Sequence, residues 1–169
     1  MSILIAPHGG GPLKPLLLSG TDRTAEAERA RGLLKVPLSS REISDLFMLG
    51  MGAYTPLDGF MGEEDWRRCC TDMTTADGTF WPIPITLSCE KDLADGIAVG
   101  QWVALVDGAD GEILAVLTVS EKYAIDRELE CREVFRTTDA AHPGVRKVME
   151  QPAVNLAGRT GLRELASVY

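Results

Sequence analysis

Two apolar runs, QWVALV (101–106) and EILAVLTV (112–119), are separated only by DGADG (107–111). Each run is rich in β-branched residues, and the spacer supplies the turn formers Asp and Gly. The pattern predicts a β-hairpin, and whatever this chain folds into must be built around it. Upstream, Ile83, Ile85, Leu87 and Cys89 alternate with Pro82, Pro84, Thr86 and Ser88, following an Asp77-Gly78 turn. That period of two predicts a half-buried edge strand. Its face, Ile83, Ile85 and Leu87, is expected to meet Val103, Leu105, Leu114 and Val116 across a core running from Asp77 to Tyr123.

The flanks have the helical period instead. TDRTAEAERAR (21–31) reads as a short helix with Glu26–Arg29 and Glu28–Arg31 pairs and a stop at Gly32. LLKVPL (33–38) reads as a strand that Pro37 confines to an edge. Ser39-Ser40-Arg41-Glu42 is a capping box opening a helix that ends at Gly50 or Gly52. A further helix over 63–73 places Trp66, Cys69, Cys70 and Met73 on one face, with Glu63, Glu64 and Asp65 in its first turn. DRELECREVF (126–135) predicts an exposed, ion-paired helix in which Glu128, Glu130 and Glu133 alternate with Arg127 and Arg132. Pro143 opens another, with Val145, Val148 and Met149 inward and Pro152 ending it. A last short strand is expected near Val154–Leu156. Hairpins in the middle and helices at the flanks, with no βαβ rhythm, argue for an α+β fold around a small mixed barrel or curled sheet.

The length of 169 residues suits one domain with its own core. The net charge is −8, and residues 41–100, with 4 basic and 11 acidic groups, carry −7 of it. Such a surface repels phosphodiesters, so nucleic acid is not an expected partner. No apolar run reaches the length of a membrane span, and the N-terminus has no secretory pattern. A cytoplasmic protein with reduced thiols is the expectation.

The residues nominate no catalytic, cofactor-binding or metal site. His8-Gly9-Gly10-Gly11 is similar to the oxyanion loop of some esterases, but no GxSxG nucleophile elbow accompanies it. Neither a P-loop nor a GxGxxG turn is present. Cys69, Cys70, Cys89 and Cys131 form no CxxC and have no ligand spacing to His8 or His142. The DGADG carboxylates do not match an EF-hand loop. His142, before Pro143, reads as an N-cap or loop residue.

One further signal is carried by ordered blocks. GAYTPLDGFM (52–61), ADGTFWPIPITL (76–87), AVLTVSEKY (115–123) and TTDAAHPGV (137–145) resemble, in order, blocks of the ATP sulfurylases (sulfate adenylyltransferases). PHGGG (7–11) and PLSSREISDLFMLG (37–50) fit the same family. The resemblance implies that residues 1–156 are an N-terminal PUA-like domain, a mixed β-barrel with flanking helices. It implies that 157–169 begin the connection to a catalytic α/β domain. The parent enzyme would convert ATP and sulfate to adenosine 5′-phosphosulfate and pyrophosphate with Mg²⁺ on the nucleotide, as a homo-oligomer. The family's sulfate loop, of the form QxRN, is absent here: Gln151–Asn155 reads QPAVN, without the arginine. His142-Pro143 matches the N-domain block and not the catalytic histidine loop, so no catalytic residue is carried over. Two readings stay open: a catalytically silent domain of that enzyme, and a stand-alone PUA-like binding module with no enzymatic role.

Overall fold

The predicted hairpin forms the middle of a seven-stranded sheet in the computed structural model, which describes residues 5–18 and 20–163. Strand β5 (Trp102–Asp107) pairs antiparallel with β6 (Ile113–Ala124). The turn between them consumes its own carboxylates: Asp107 Oδ1 accepts from Ala109 N at 2.7 Å and Asp110 Oδ1 from Glu112 N at 2.8 Å. Gly111 turns the chain at φ 78°, which favours glycine.

Around this pair lie β1 (Leu17–Leu18), β2 (Leu34–Leu38), β3 (Gly59–Phe60), β4 (Leu87–Cys89) and β7 (Val154–Arg163). The order is β1-β7-β6-β5-β2, with β3 and β4 also against β7. Strand β2 runs parallel to β5 at the sheet's edge, where Pro37 needs no N–H partner. The mixed helix-and-sheet architecture matches the reading of the sequence, but the sheet is open. Among the described residues β2 pairs only with β5 and β1 only with β7, so no ladder closes a barrel.

The short strand expected near Val154–Leu156 is ten residues long and central, pairing with β1, β3, β4 and β6. Residues 157–163, expected to begin a connection, are part of that strand. Its neighbours approach closely at two glycines: a Cβ on Gly59 would stand 1.8 Å from the Gly158 oxygen, and one on Gly158 would stand 1.9 Å from the Thr118 oxygen.

Register decides which faces are dry. Val103 opposite Leu117 and Leu105 opposite Ala115 point into the main core, with Leu46, Leu87 and Leu156. Ala104 and Val116 point the other way, against Ala30 of helix α1 (Gly20–Ala30). Val116 therefore does not share a face with Leu105; alternation along the strand forbids it. The 83–89 stretch also departs from expectation. Only Leu87–Cys89 is strand, Ile83 is exposed, and Pro84 through Cys89 are buried on both sides because α2 and β7 flank them.

The helix boundaries follow their caps. In α2 (Ser40–Gly50) Ser39 and Glu42 form the capping box. Glu42 does more: at 2% exposure its carboxylate accepts from Ser39 N and Oγ at 2.8 and 2.6 Å and from Ser88 N and Oγ at 2.7 and 2.6 Å. One carboxylate thus ties the start of α2 to β4. Helix α3 (Glu63–Asp72) buries Trp66, Cys69 and Cys70; Met73 falls past its end, at φ 54°, and is exposed. A short α4 (Lys91–Asp95) follows β4. Helix α5 (Arg127–Val134) is capped by Asp126 and α6 (Pro143–Glu150) by His142, with Pro143 at its first position. Val145 and Val148 are buried, whereas Met149 is exposed.

Candidate functional site

The histidines sit on separate elements with structural tasks. His142 Nδ1 accepts from Gly144 N at 3.1 Å and Val145 N at 3.4 Å, and its ring lies 5.1 Å from that of Phe135. His8 Nε2 bonds the Phe80 carbonyl at 2.6 Å, and its ring is 5.9 Å from Trp81. The acidic residues are likewise engaged. Glu63 pairs with Arg67, Asp65 accepts from Ala76 N, and Glu133 pairs with Arg132 and Arg136.

Glu130 departs from the exposed, ion-paired helix expected. It is buried against α3, accepting from Trp66 Nε1 at 2.7 Å, and burial pushes its carboxyl up. All four cysteines are buried and free. Burial pushes Cys69 up to about 12 and Cys89 to about 11, which removes thiolate character at neutral pH.

What the fold does assemble is a face. Residues 8–16 lie across the 50–57 loop. Lys14 N donates to Thr55 Oγ1 at 3.0 Å, Lys14 Nζ to the Pro56 carbonyl at 3.1 Å, and Leu16 N to the Gly50 carbonyl at 2.9 Å. Thr55-Pro56 is cis, and Gly9 stands against the Pro56 ring, where a Cβ would come within 3.2 Å. Gly52, at φ 79°, lets the backbone of Lys14 and Pro15 approach to within about 3 Å of its missing Cβ.

The 73–81 loop closes the other side. Trp81 packs edge-on against Tyr54, 5.7 Å between centroids, and Tyr54 OH donates to Asp45 at 3.0 Å. The loop is braced internally. Asp77 Oδ1 accepts from Thr75 Oγ1 at 2.6 Å and Thr79 N at 2.9 Å, which holds its carboxyl down at about 2. Trp81 N donates to the Met73 carbonyl at 2.7 Å, and Cys69 Sγ to the Trp81 carbonyl.

A polar core of bonds therefore holds an apolar exterior. Among the described residues, seven of the eleven large exposed hydrophobics fall in 5–17, 51–58 and 73–83, including Leu13, Met51, Phe80 and Ile83. Phe80 and Ile83 are 57% and 58% exposed although their loop is well fixed. A cavity of about 360 Å³ lies alongside, lined by Lys14, Phe60, Asp65 and Asp77 among others. The end of β7 reaches the same region, with Leu162 opposite Leu17 and Arg163 opposite Leu18. Exposed apolar residues concentrated in three segments that contact one another mark a candidate interaction surface.

The family model for the PUA-like domain matches residues 5–164. The sulfate adenylyltransferase of Chlorobium chlorochromatii (strain CaD3) is 57% identical over 157 residues, which are 92% of this chain and 39% of that protein. The sulfate adenylyltransferase of Syntrophobacter fumaroxidans (strain DSM 10017 / MPOB) is 59% identical over 160 residues, 94% of this chain and 39% of its own length. Among solved structures, a hexameric APS kinase from Thiobacillus denitrificans superposes with a TM-score of 0.71 at 30% identity, covering 97% of this chain and 28% of that one. The chain thus spans about two fifths of the curated relatives it matches. No helix among the described residues is long and apolar enough to cross a membrane.

Proposed function

The chain belongs to the PUA-like domain family, and from that premise we propose that it is the N-terminal, non-catalytic domain of a sulfate adenylyltransferase. The observation that carries this reading is the identity of 57% and 59% to proteins of that name, over nearly all of this chain and 39% of theirs. The parent enzyme joins sulfate to the adenylyl group of ATP and releases pyrophosphate. The remaining three fifths of the relatives' length is assigned to a catalytic α/β domain, and the face formed by 5–17, 51–58 and 73–83 is assigned to docking on it. The parent works in the cytoplasm as a homo-oligomer, in keeping with the hexameric description of the Thiobacillus structure.

ATP and Mg²⁺ belong to that other domain. Among the described residues no three His, Cys, Asp or Glu side chains are grouped to hold a metal. The Asp107 and Asp110 carboxylates are occupied by turn amides. Adenylyl transfer needs a triphosphate and a sulfate dianion held in line by aimed donors in a dry site. The −7 of residues 41–100 opposes both anions. This chain's own contribution is positional: it presents a rigid apolar face and keeps its thiols and buried carboxylates out of the chemistry.

The purified chain is accordingly expected to release no pyrophosphate from ATP and molybdate. Turnover on the order of 1 per second, ordinary for an enzyme, would place an active site within these residues and overturn the reading.

A further inference from the structure

Between β6 and β7 the chain leaves the sheet and returns to it at one point. Its two feet stay paired, with Ala124 opposite Val154 and Ile125 N donating to the Ala153 carbonyl at 3.1 Å. The excursion, 126–150, is the helical pair α5 and α6. Val145 and Val148 of α6 pack on Cys131 and Phe135, and α5 packs on α3 through Leu129 and Val134 against Trp66 and Cys70. Among the described residues one side-chain hydrogen bond joins α5 to α3: Trp66 Nε1 donates to Glu130 Oε2 at 2.7 Å. Both side chains are buried, Glu130 at 3% exposure. No Lys, Arg or His nitrogen among the described residues stands within 4 Å of this carboxylate. Glu42 is equally buried but accepts four bonds from Ser39 and Ser88. A buried carboxylate with a single donor is poorly compensated when ionised, whereas the neutral acid keeps the Trp66 bond without that cost.

We infer that Glu130 is a proton-operated latch: its neutral acid holds α5 against α3, and its ionised form loosens the 126–150 pair about the Ala124–Val154 feet. The groups around it do not relieve its charge. Cys69 and Cys70 of α3, Tyr123 of β6 and Cys131 of α5 are all kept neutral at ordinary pH, because burial pushes each of them up. Arg41 of α2 favours the ionised form, but its guanidinium is bonded to Gln151 Oε1. Arg67 of α3 is paired with Glu63, and Glu133 of α5 with Arg132 and Arg136. Burial outweighs the Trp66 bond and Arg41, so the Glu130 carboxyl lies above the usual carboxylate range. The folded domain therefore holds this proton more tightly than the unfolded chain. The stability it contributes is full below the ordinary glutamate value of about 4.3, falls as the pH rises from there, and is lost once the buried carboxyl ionises. Because the feet are paired to each other, the pair can open as a local unit while the sheet stays closed. The inference does not depend on the parent's reaction and uses no residue of the docking face.

The test is a ¹⁵N-resolved pH titration of the 169-residue chain, with amide exchange measured along the same series and corrected for the intrinsic exchange rate. The indole N–H of Trp66 is expected to shift in one step centred above the ordinary glutamate value of about 4.3. Opening across 127–150 is expected to become rarer on the acid side of that step, while exchange in the β5–β6 ladder does not follow it. Glu130→Gln keeps the shape of the neutral acid. It is expected to abolish the indole step and to open about threefold or more less often than the parent chain near neutral pH. An indole that does not titrate, a step centred at or below the ordinary glutamate value, or a step that persists in Glu130→Gln would each overturn the inference. So would opening across 127–150 that is indifferent to the step. The indole and exchange measurements on the unaltered chain decide the matter even where the variant does not fold.

Discussion

Gly158→Ala is expected to cost at least ~3 kcal/mol, at or beyond the usual range for overpacking a tight site. Gly158 sits where β7 is squeezed between β3 and β6, opposite Phe60 on one side and Val119 on the other. A Cβ built there would stand 1.9 Å from the Thr118 carbonyl oxygen and 2.9 Å from its carbon. Backbone cannot rotate out of the way as a side chain can, so the β6–β7 ladder itself must open. That ladder is the longest in the sheet, and β7 is also the strand on which β1, β3 and β4 depend. Gly11→Ala is the control. Its Cβ would meet nothing within 4 Å, and the change should stay within about 0.5 kcal/mol. Urea unfolding of the two variants checks both; equal midpoints would mean that the strands are not this close.

Glu42→Ala is expected to lose on the order of 3–5 kcal/mol, because three separate costs fall together. The return half of the capping box, from the Glu42 carboxylate to Ser39 N–H, disappears, although Ser39 Oγ still accepts the backbone N–H at 42. The hydrogen bonds lost are to a charged acceptor, worth more than neutral ones. Ser88 N–H, on a residue 6% exposed, is left in the interior without its acceptor, at about 1–3 kcal/mol. Glu42→Gln keeps the shape and is expected to lose less, since its amide oxygen retains one side of the bridge. Thermal melting of both variants separates the two: a Glu42→Ala midpoint close to that of the parent chain would show that Glu42 is only a helix cap.

The sequence made that cap legible and left the bridge hidden, and the difference is one of range. Ser39 and Glu42 are three residues apart, so local chemistry announces them. Ser88 is 46 residues from Glu42, and only the packing of β4 against α2 joins them. The same holds for Glu130, whose arginine neighbours read as an exposed helix while its carboxylate turns to Trp66, 64 residues away. The hairpin was legible because apolar runs and turn residues sit side by side. Strand β7 was not. Its residues, VNLAGRTGLR, include two glycines and the buried polar side chains of Asn155 and Thr160. Glycine there answers to the close approach of other strands and not to any propensity of its own. The resemblance marked PHGGG, GAYTPLDGFM and ADGTFWPIPITL as separate blocks. That His8, Pro56, Tyr54 and Trp81 meet on one face is a property of the fold.

Whether that face is the one a catalytic domain covers is decided by amide hydrogen exchange. The sulfate adenylyltransferase of Chlorobium chlorochromatii would be compared, full length, with its isolated segment matching this chain. Exchange at the positions matching 5–17, 51–58 and 73–83 is expected to slow in the full-length protein, with the matching 107–111 turn unchanged. Equal exchange on that face in the two proteins, with protection gained elsewhere on the domain, would contradict the account.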